Sequence, residues 1–356
     1  MPIPIIYGNP QNRSATFSTA ISQDSSSQLK DFVLTRSKDY SIGNIDNETL
    51  EASKGNANAF LEAATVEIDG AIHSAARSLA VALYGTGSGM LGRIASGQTT
   101  ATITLSDIES ITNFEKGMVL VASTANGGGS VKAGTATIVG LDRDLGTITF
   151  SAALNTLIGT IAANDYLFAQ GDYDLKIKGL LAWLPSSAPT SGDNFFGVDR
   201  SSDATRLAGI RFDGSSMPIE EALVSAAARV AREGGKPDYC FMNYSKYADL
   251  EKALGSKVQY IDMKVNPEIA FRGIQINGPR GPIKVVPDQN CPNDRAFMLQ
   301  MNVWKLYSLG KAPKILDTDG LKWLRQASSD GVQVRVGYYA QLGCRGPGFN
   351  ANVQLS

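Results

Sequence analysis

"ALYGTGSGMLGRI", residues 82–94, is the stretch on which the reading of the chain turns. Gly87, Gly89 and Gly92 have the GxGxxG spacing with which a strand-to-helix loop cradles a dinucleotide pyrophosphate, the helix N-terminus facing the phosphates. The order here is the reverse. Upstream runs "NANAFLEAATVEIDGAIHSAARSLAVALYG", residues 56–85, in which Phe60, Ala64, Ile68, Ile72, Ala75, Leu79 and Leu83 recur at a step of about four. That is the apolar stripe of an amphipathic helix. Asn56 or Asn58 is placed to cap its start, and Gly85 to end it in the left-handed conformation that glycine tolerates. A continuous helix of about 28 residues extends roughly 42 Å, long for a globular domain and suited to a strut. The glycines are therefore expected to form a helix stop and turn, not a cofactor loop.

Residues 98–172 change character. "TTATITLS", "GMVLVAST", "TATIVGLDRDLGTITFS" and "DYLFAQGDY" are short β-branched and aromatic runs separated by Gly, Asn and Asp, the pattern of a small all-β sandwich or barrel inserted into the chain. Asp142 and Asp144 resemble the start of a calcium loop, but the later ligands are missing and a hairpin turn is expected. Before the long helix, the serine-rich residues 1–29 read as an extended arm, and residues 30–52 as a hairpin with Phe32 and Leu34 on one strand and Tyr40 and Ile42 on the other. Beyond the β module, residues 173–214 are rich in loops. Next comes a helix opening at Pro218, with Glu220 and Glu221 in its first turn and Gly234 and Gly235 after it. The strand "YCFM", the helix "YSKYADLEKALG", the hairpin "RGIQINGPRGPIKVVPD" and the strands "AFMLQM", "VWKLYSL" and "GVQVRVGYYAQL" follow, an α+β order.

At 356 residues the chain exceeds the size at which single cores stop growing, so about two domains are expected. A formal charge of -1 gives no general attraction to nucleic acid or to an anionic membrane. Charged residues make up 19%, below the usual value of about 25%, which fits extensive subunit contacts. Cys240, Cys291 and Cys344 are odd in number and lack CxxC spacing, so neither a disulfide framework nor a zinc site is expected. The N-terminus has no secretion signal, no window has the ~18 apolar residues of a membrane span, and folding in a cytoplasm is expected. His73, the single histidine, has Asp69 and Arg77 four residues to either side on a polar helix face. No nucleophile elbow, P-loop or HExxH motif occurs. Neither an active site nor a cofactor is expected.

In order and local wording the chain resembles the tailed-phage major capsid proteins of the Hong Kong 97 fold. The resemblance rests on the order of arm, extended hairpin loop and long helix, on the turn "GTGSGMLG" and on the run "AAARVAREGGKPDYCFMNYSKYADLEKALGSKVQY". It continues through "FRGIQINGPRGPIKVVPD", "AFMLQMNVWKLYSLGKAPKIL" and "RVGYYAQLGCRGPGFNANVQL", covering residues 30–97 and 173–356. Residues 98–172 depart from it as an insertion.

The resemblance implies an N-terminal arm (1–29), an extended hairpin loop (30–52), a spine helix with the first part of a peripheral domain (53–97), a loop-rich peripheral segment (173–214), an axial domain (215–325) and closing strands (326–356). It implies a subunit that joins itself as pentamers and hexamers of an icosahedral shell, with scaffolding, portal and decoration proteins as partners. The shell would enclose DNA without binding it strongly, in a virion. Arg36, Lys38, Asp69, His73, Arg77, Arg200, Arg206 and Arg280 are the candidate assembly contacts. The alternatives are a tail or adhesin subunit, or a small-molecule-binding enzyme with a β module. Some members of the family weld their shells by Lys–Asn isopeptide bonds that a nearby carboxylate promotes. Here residues 331–356 contain no Asp or Glu, the corresponding strand positions are Gly331 and Tyr338, and no such weld is expected.

Overall fold

The computed structural model describes residues 1–23, 25–46, 48, 57–255, 260–266, 269–317, 320–321, 323–326 and 330–356. Asn56 and residues 49–52 of the expected hairpin lie outside the described residues. The chain divides into two units, matching its length. One comprises Met1–Thr35, Leu180–Lys305 and Gly343–Ser356, the other Arg36–Gly179 and Leu306–Leu342.

The first unit is built on a seven-stranded mixed sheet, with strands in the order Ile210–Asp213, Ala351–Gln354, Arg295–Leu299, Tyr239–Met242, Gly281–Pro287, Ile269–Gly278, Tyr260–Asn266. Tyr239–Met242 runs parallel to Gly281–Pro287, with Cys240 opposite Val285, and antiparallel to Arg295–Leu299, with Cys240 opposite Met298. The period of two along these strands sends Cys240, Met242, Ile283, Val285, Ala351 and Val353 into one core. There they meet Leu223, Ala226, Ala227 and Val230 of the helix Ile219–Arg232. That helix begins after Pro218 with Glu220 and Glu221 in its first turn and ends with Arg229 and Arg232, charges that complement its dipole. The next helix, Tyr244–Leu254, starts where the Asn243 side chain accepts from the Ser245 N–H at 3.1 Å.

The N-terminal segment corrects two expectations. Residues 1–29 are not an unpacked arm: strand Pro2–Gly8 pairs antiparallel with Gln28–Val33. Ile3, Ile5 and Phe32 are buried, and the Phe32 ring stands edge-on to Trp183 at 5.0 Å and to Phe195 at 6.2 Å. Nor do the described residues of 30–52 form a hairpin, because the two expected strands pair elsewhere and not with each other. The strand Ser37–Asp46 pairs along its length with Gly331–Cys344, Asp39 opposite Tyr338 and Ile45 opposite Val332. Alternation along a strand fixes which face is apolar, not which distant strand supplies its hydrogen bonds.

In the second unit the long helix spans Ala57–Tyr84, 28 residues. Phe60 and Ala64 lie outside the described side chains. Ala71, Ala75 and Leu79 are buried, with Ala82 in place of Leu83, and Ala71 and Ala75 join Val334 and Val336 of the closing strand in one core. The inserted module is a closed six-stranded barrel in the order Met90–Ser96, Thr102–Leu105, Thr147–Phe150, Ala136–Asp142, Val119–Ser123, Tyr166–Ala169. Every pair is antiparallel. Its interior is filled by residues such as Ile94, Ile103, Phe114, Leu120, Ile148 and Leu167, and closure leaves no sheet edge open. The first barrel strand begins at Met90, earlier than the expected residue 98. Asp142 makes a turn, its Oδ1 accepting from the Asp144 and Leu145 N–H groups at 3.1 Å.

Candidate functional site

The opening glycines form the neck of the barrel. Gly85 ends the long helix by donating to Ala82 O at 3.1 Å, but the left-handed positions are Gly87 (φ 96°) and Gly89 (φ 80°), a correction to the expected role of Gly85. A Cβ on Gly89 would stand 2.8 Å from Asp172 O, so the returning chain fills the ground that a pyrophosphate would need. Outgoing and returning segments are tied by Asp174 N–H to Ser88 O at 2.9 Å and Gly179 N–H to Gly85 O at 3.1 Å. The two ends of the insertion therefore lie side by side.

Beside this neck four separate segments converge on a buried charge cluster. Lys176, after the last barrel strand, places Nζ 2.7 Å from Asp39 Oδ2, 2.9 Å from Asp172 Oδ2 and 3.0 Å from Ser78 Oγ. Ser78, on the long helix, donates to Asp39 Oδ2 at 2.6 Å, and Tyr338, on the closing strand, donates to the same oxygen at 3.3 Å. Burial raises the Asp172 carboxyl above its ordinary value, with the Lys176 charge opposing it. Burial, and then the Asp39 charge, raises the Tyr338 phenol. Apart from the four-residue spacing of Asp172 and Lys176, nothing local in the sequence marks this cluster.

The candidate contacts separate into two kinds. Arg36, Lys38, Asp69, His73 and Arg280 are exposed, Arg280 also donating to Gly234 O at 2.6 Å. The other three are tied into the chain by their side chains, Arg206 while remaining exposed. Arg77 pairs with Glu115 at 2.8 Å, linking the helix to the barrel. Arg200 is buried, binds Asp193 and the Ala182 carbonyl at 2.8 and 2.7 Å, and lies 4.1 Å over the Phe195 ring. Arg206 donates to Tyr7 O at 2.6 Å and holds the end of the first strand.

Sequence reading missed the apolar surface near the N-terminus. On the outer face of the first strand pair Ile6 and Leu29 stand opposite each other at 64% and 57% exposure, with Val33 further along. The short helix Phe17–Ser22 exposes Phe17 and Ile21, 83% and 71%, one turn apart. Covering either side chain is worth about 1.5–3 kcal/mol. Period-two alternation at Ile3, Ile5 and Phe32 held the only signal, and the prolines and serines obscured it.

Among the described residues no group of three or more His, Cys, Asp or Glu side chains could hold a metal ion, and no helix is long and apolar enough to cross a membrane. An α+β chain with mixed sheets and an inserted closed barrel is related to capsid folds. It is similar to a chain of the cyanophage A-1(L) capsid asymmetric unit, with 10% identity over 99% of this chain and 87% of that one and a TM-score of 0.54. Further similarities are to chains of Mycobacterium phage Ogopogo, 10% identical over 100% and 87% with a TM-score of 0.44, and Gordonia phage Cozz, 10% identical over 100% and 81% with a TM-score of 0.42. No curated protein matches the chain. The fold is thus related to that of a tailed-bacteriophage type of capsid subunit. The family model described as SU10 major capsid protein matches residues 156–334, half of the chain, and the chain belongs to that family.

Proposed function

We propose that this chain joins copies of itself as pentamers and hexamers into an icosahedral shell that encloses a phage genome, assembling in the host cytoplasm and residing in the virion. Membership of the major capsid family over residues 156–334 carries this reading. The exposed apolar side chains Ile6, Leu29, Val33, Phe17 and Ile21 support it, because burial between copies accounts for their exposure in one copy.

In this reading the helix Ala57–Tyr84 within residues 53–97 serves as the spine, 215–325 as the axial domain, and 173–214 with 326–356 as the peripheral domain. The barrel projects from the outer surface, and the exposed short helix Phe17–Ser22 packs against a neighbouring copy. Arg36, Lys38, Asp69, His73 and Arg280 supply polar contacts. Scaffolding, portal and decoration proteins are the further partners. The first 30 residues set Arg13 and Lys30 against Asp24, about one net positive charge, so free subunits bind DNA only weakly. Electron microscopy and sedimentation of the expressed chain test the proposal. Closed shells, pentamers or hexamers are expected; a chain that stays monomeric at every concentration and alongside the other head proteins overturns it.

A further inference from the structure

Lys176 is a primary amine held between two carboxylates where little water reaches. Side-chain exposure is 8% for Lys176 and 14% for Asp39, and Nζ already sits 2.7 Å from Oδ2 of the carboxyl group it would attack. A buried ion pair bears a desolvation penalty that Coulomb attraction only partly offsets. An amide would remove both charges. The geometry points to an intrachain isopeptide bond between Lys176 Nζ and Asp39 Cγ, formed by the folded subunit itself with Asp172 as proton carrier.

The step balances without any added reagent. The Lys176 ammonium passes one proton to Asp39 Oδ2, which leaves a neutral amine against a carboxylic acid. The Nζ lone pair forms the new bond to Cγ. Asp172, 2.9 Å from Nζ, takes a second proton from nitrogen and returns it to Oδ2. The Cγ–Oδ2 bond then breaks and the oxygen leaves as water, with nothing oxidised or reduced and Asp172 restored.

Each surrounding group has a part in this. The Tyr40 N–H donates to Asp39 Oδ1 at 3.0 Å and stabilises the charge that develops there. Ser78 and Tyr338 hold the departing Oδ2. Burial raises the Asp172 carboxyl, which suits it to accept and return a proton. Reactants fixed in contact reach effective molarities of about 10⁵–10⁸ M. The linked residues are 137 positions apart, so the bond closes the long helix and the whole barrel into one covalent ring at the neck.

Mass spectrometry of the purified, soluble full chain after denaturation tests the inference on single chains, separately from shell formation. The expected mass is that of the sequence less one water, and the digest contains a branched peptide joining the segments of Asp39 and Lys176. Lys176→Arg and Asp39→Ala regain the full mass. Asp172→Asn, which keeps both reacting groups, slows formation by about 100-fold. Full sequence mass for the folded wild-type chain, or a water loss confined to a linear peptide, overturns the inference without touching the shell-forming reading.

Discussion

Cys240, Cys291 and Cys344 are free and buried, and their surroundings decide their chemistry. Burial pushes the Cys240 thiol up to about 12 and raises Cys291 and Cys344 for the same reason. Only thiolate attacks disulfide reagents, so none of the three should react in the native chain at about pH 8, while all three react in denaturant. A native thiol that titrates at once would show that its site opens to water. The same shifts set the alkaline limit of stability. Each group binds its proton more tightly folded than unfolded, so the unfolded chain releases protons first and stability falls as pH rises past the unfolded thiol value of about 8.5. The melting temperature should therefore decline from that pH upward, with the Tyr338 phenol adding to the fall. A flat profile to about pH 11 would contradict the burial of these groups.

Gly179, where the chain returns from the barrel, ties elements together because it has no side chain. A Cβ there would stand 2.3 Å from Leu83 O and 2.4 Å from Ala82 O, at the last turn of the long helix. Neither carbonyl can move without breaking up the helix end. Gly179→Ala should cost about 3 kcal/mol and lower the thermal midpoint by roughly 6–12 °C; an unchanged midpoint would mean that helix and returning chain are not in contact. Such local features are also what made parts of the fold legible. Pro218, the acidic first turn and Gly234 bracket a helix that the structure places at Ile219–Arg232, and the four-residue step foretells Ala57–Tyr84. Pairing across long separations was not legible. Ser37–Asp46 meets a strand nearly 300 residues away, and loop closure over that distance leaves no local trace. The Lys176 cluster was hidden for the same reason, since its acceptors come from residue 39 as well as residue 172. Arg200 stands among the candidate assembly contacts because its ring partner, Phe195, and its carbonyl partner, Ala182, become neighbours only on folding.

For the whole molecule, the packed N-terminus changes which truncation tests assembly. Removing residues 2–28 would take away the buried Ile3 and Ile5 and uncover Phe32, which stands opposite Ile3, damaging the unit itself. Replacing only residues 10–26 with a short Gly-Ser turn keeps the pairing of Pro2–Gly8 with Gln28–Val33 and deletes the exposed Phe17 and Ile21. This variant should melt like the wild type yet fail to form stable shells, and normal particles from it would remove the short helix from assembly. A covalent weld between subunits is not expected in those shells. Lys38 is exposed and available, but the asparagines near the end of the chain are committed internally. The Asn350 amide donates to Gly346 O at 2.8 Å while its oxygen accepts from the Gln300 N–H and the Trp304 indole at 2.8 Å. Asn352 donates to Leu184 O at 2.8 Å, both asparagines are buried, and residues 331–356 contain no Asp or Glu to take the lysine proton. Mature particles boiled in detergent should therefore run as one band near 37.8 kDa. A bond between Lys176 and Asp39 of the same chain leaves that band at the monomer position, whereas a ladder of covalent oligomers would show that a neighbouring subunit supplies both the acceptor and the acid.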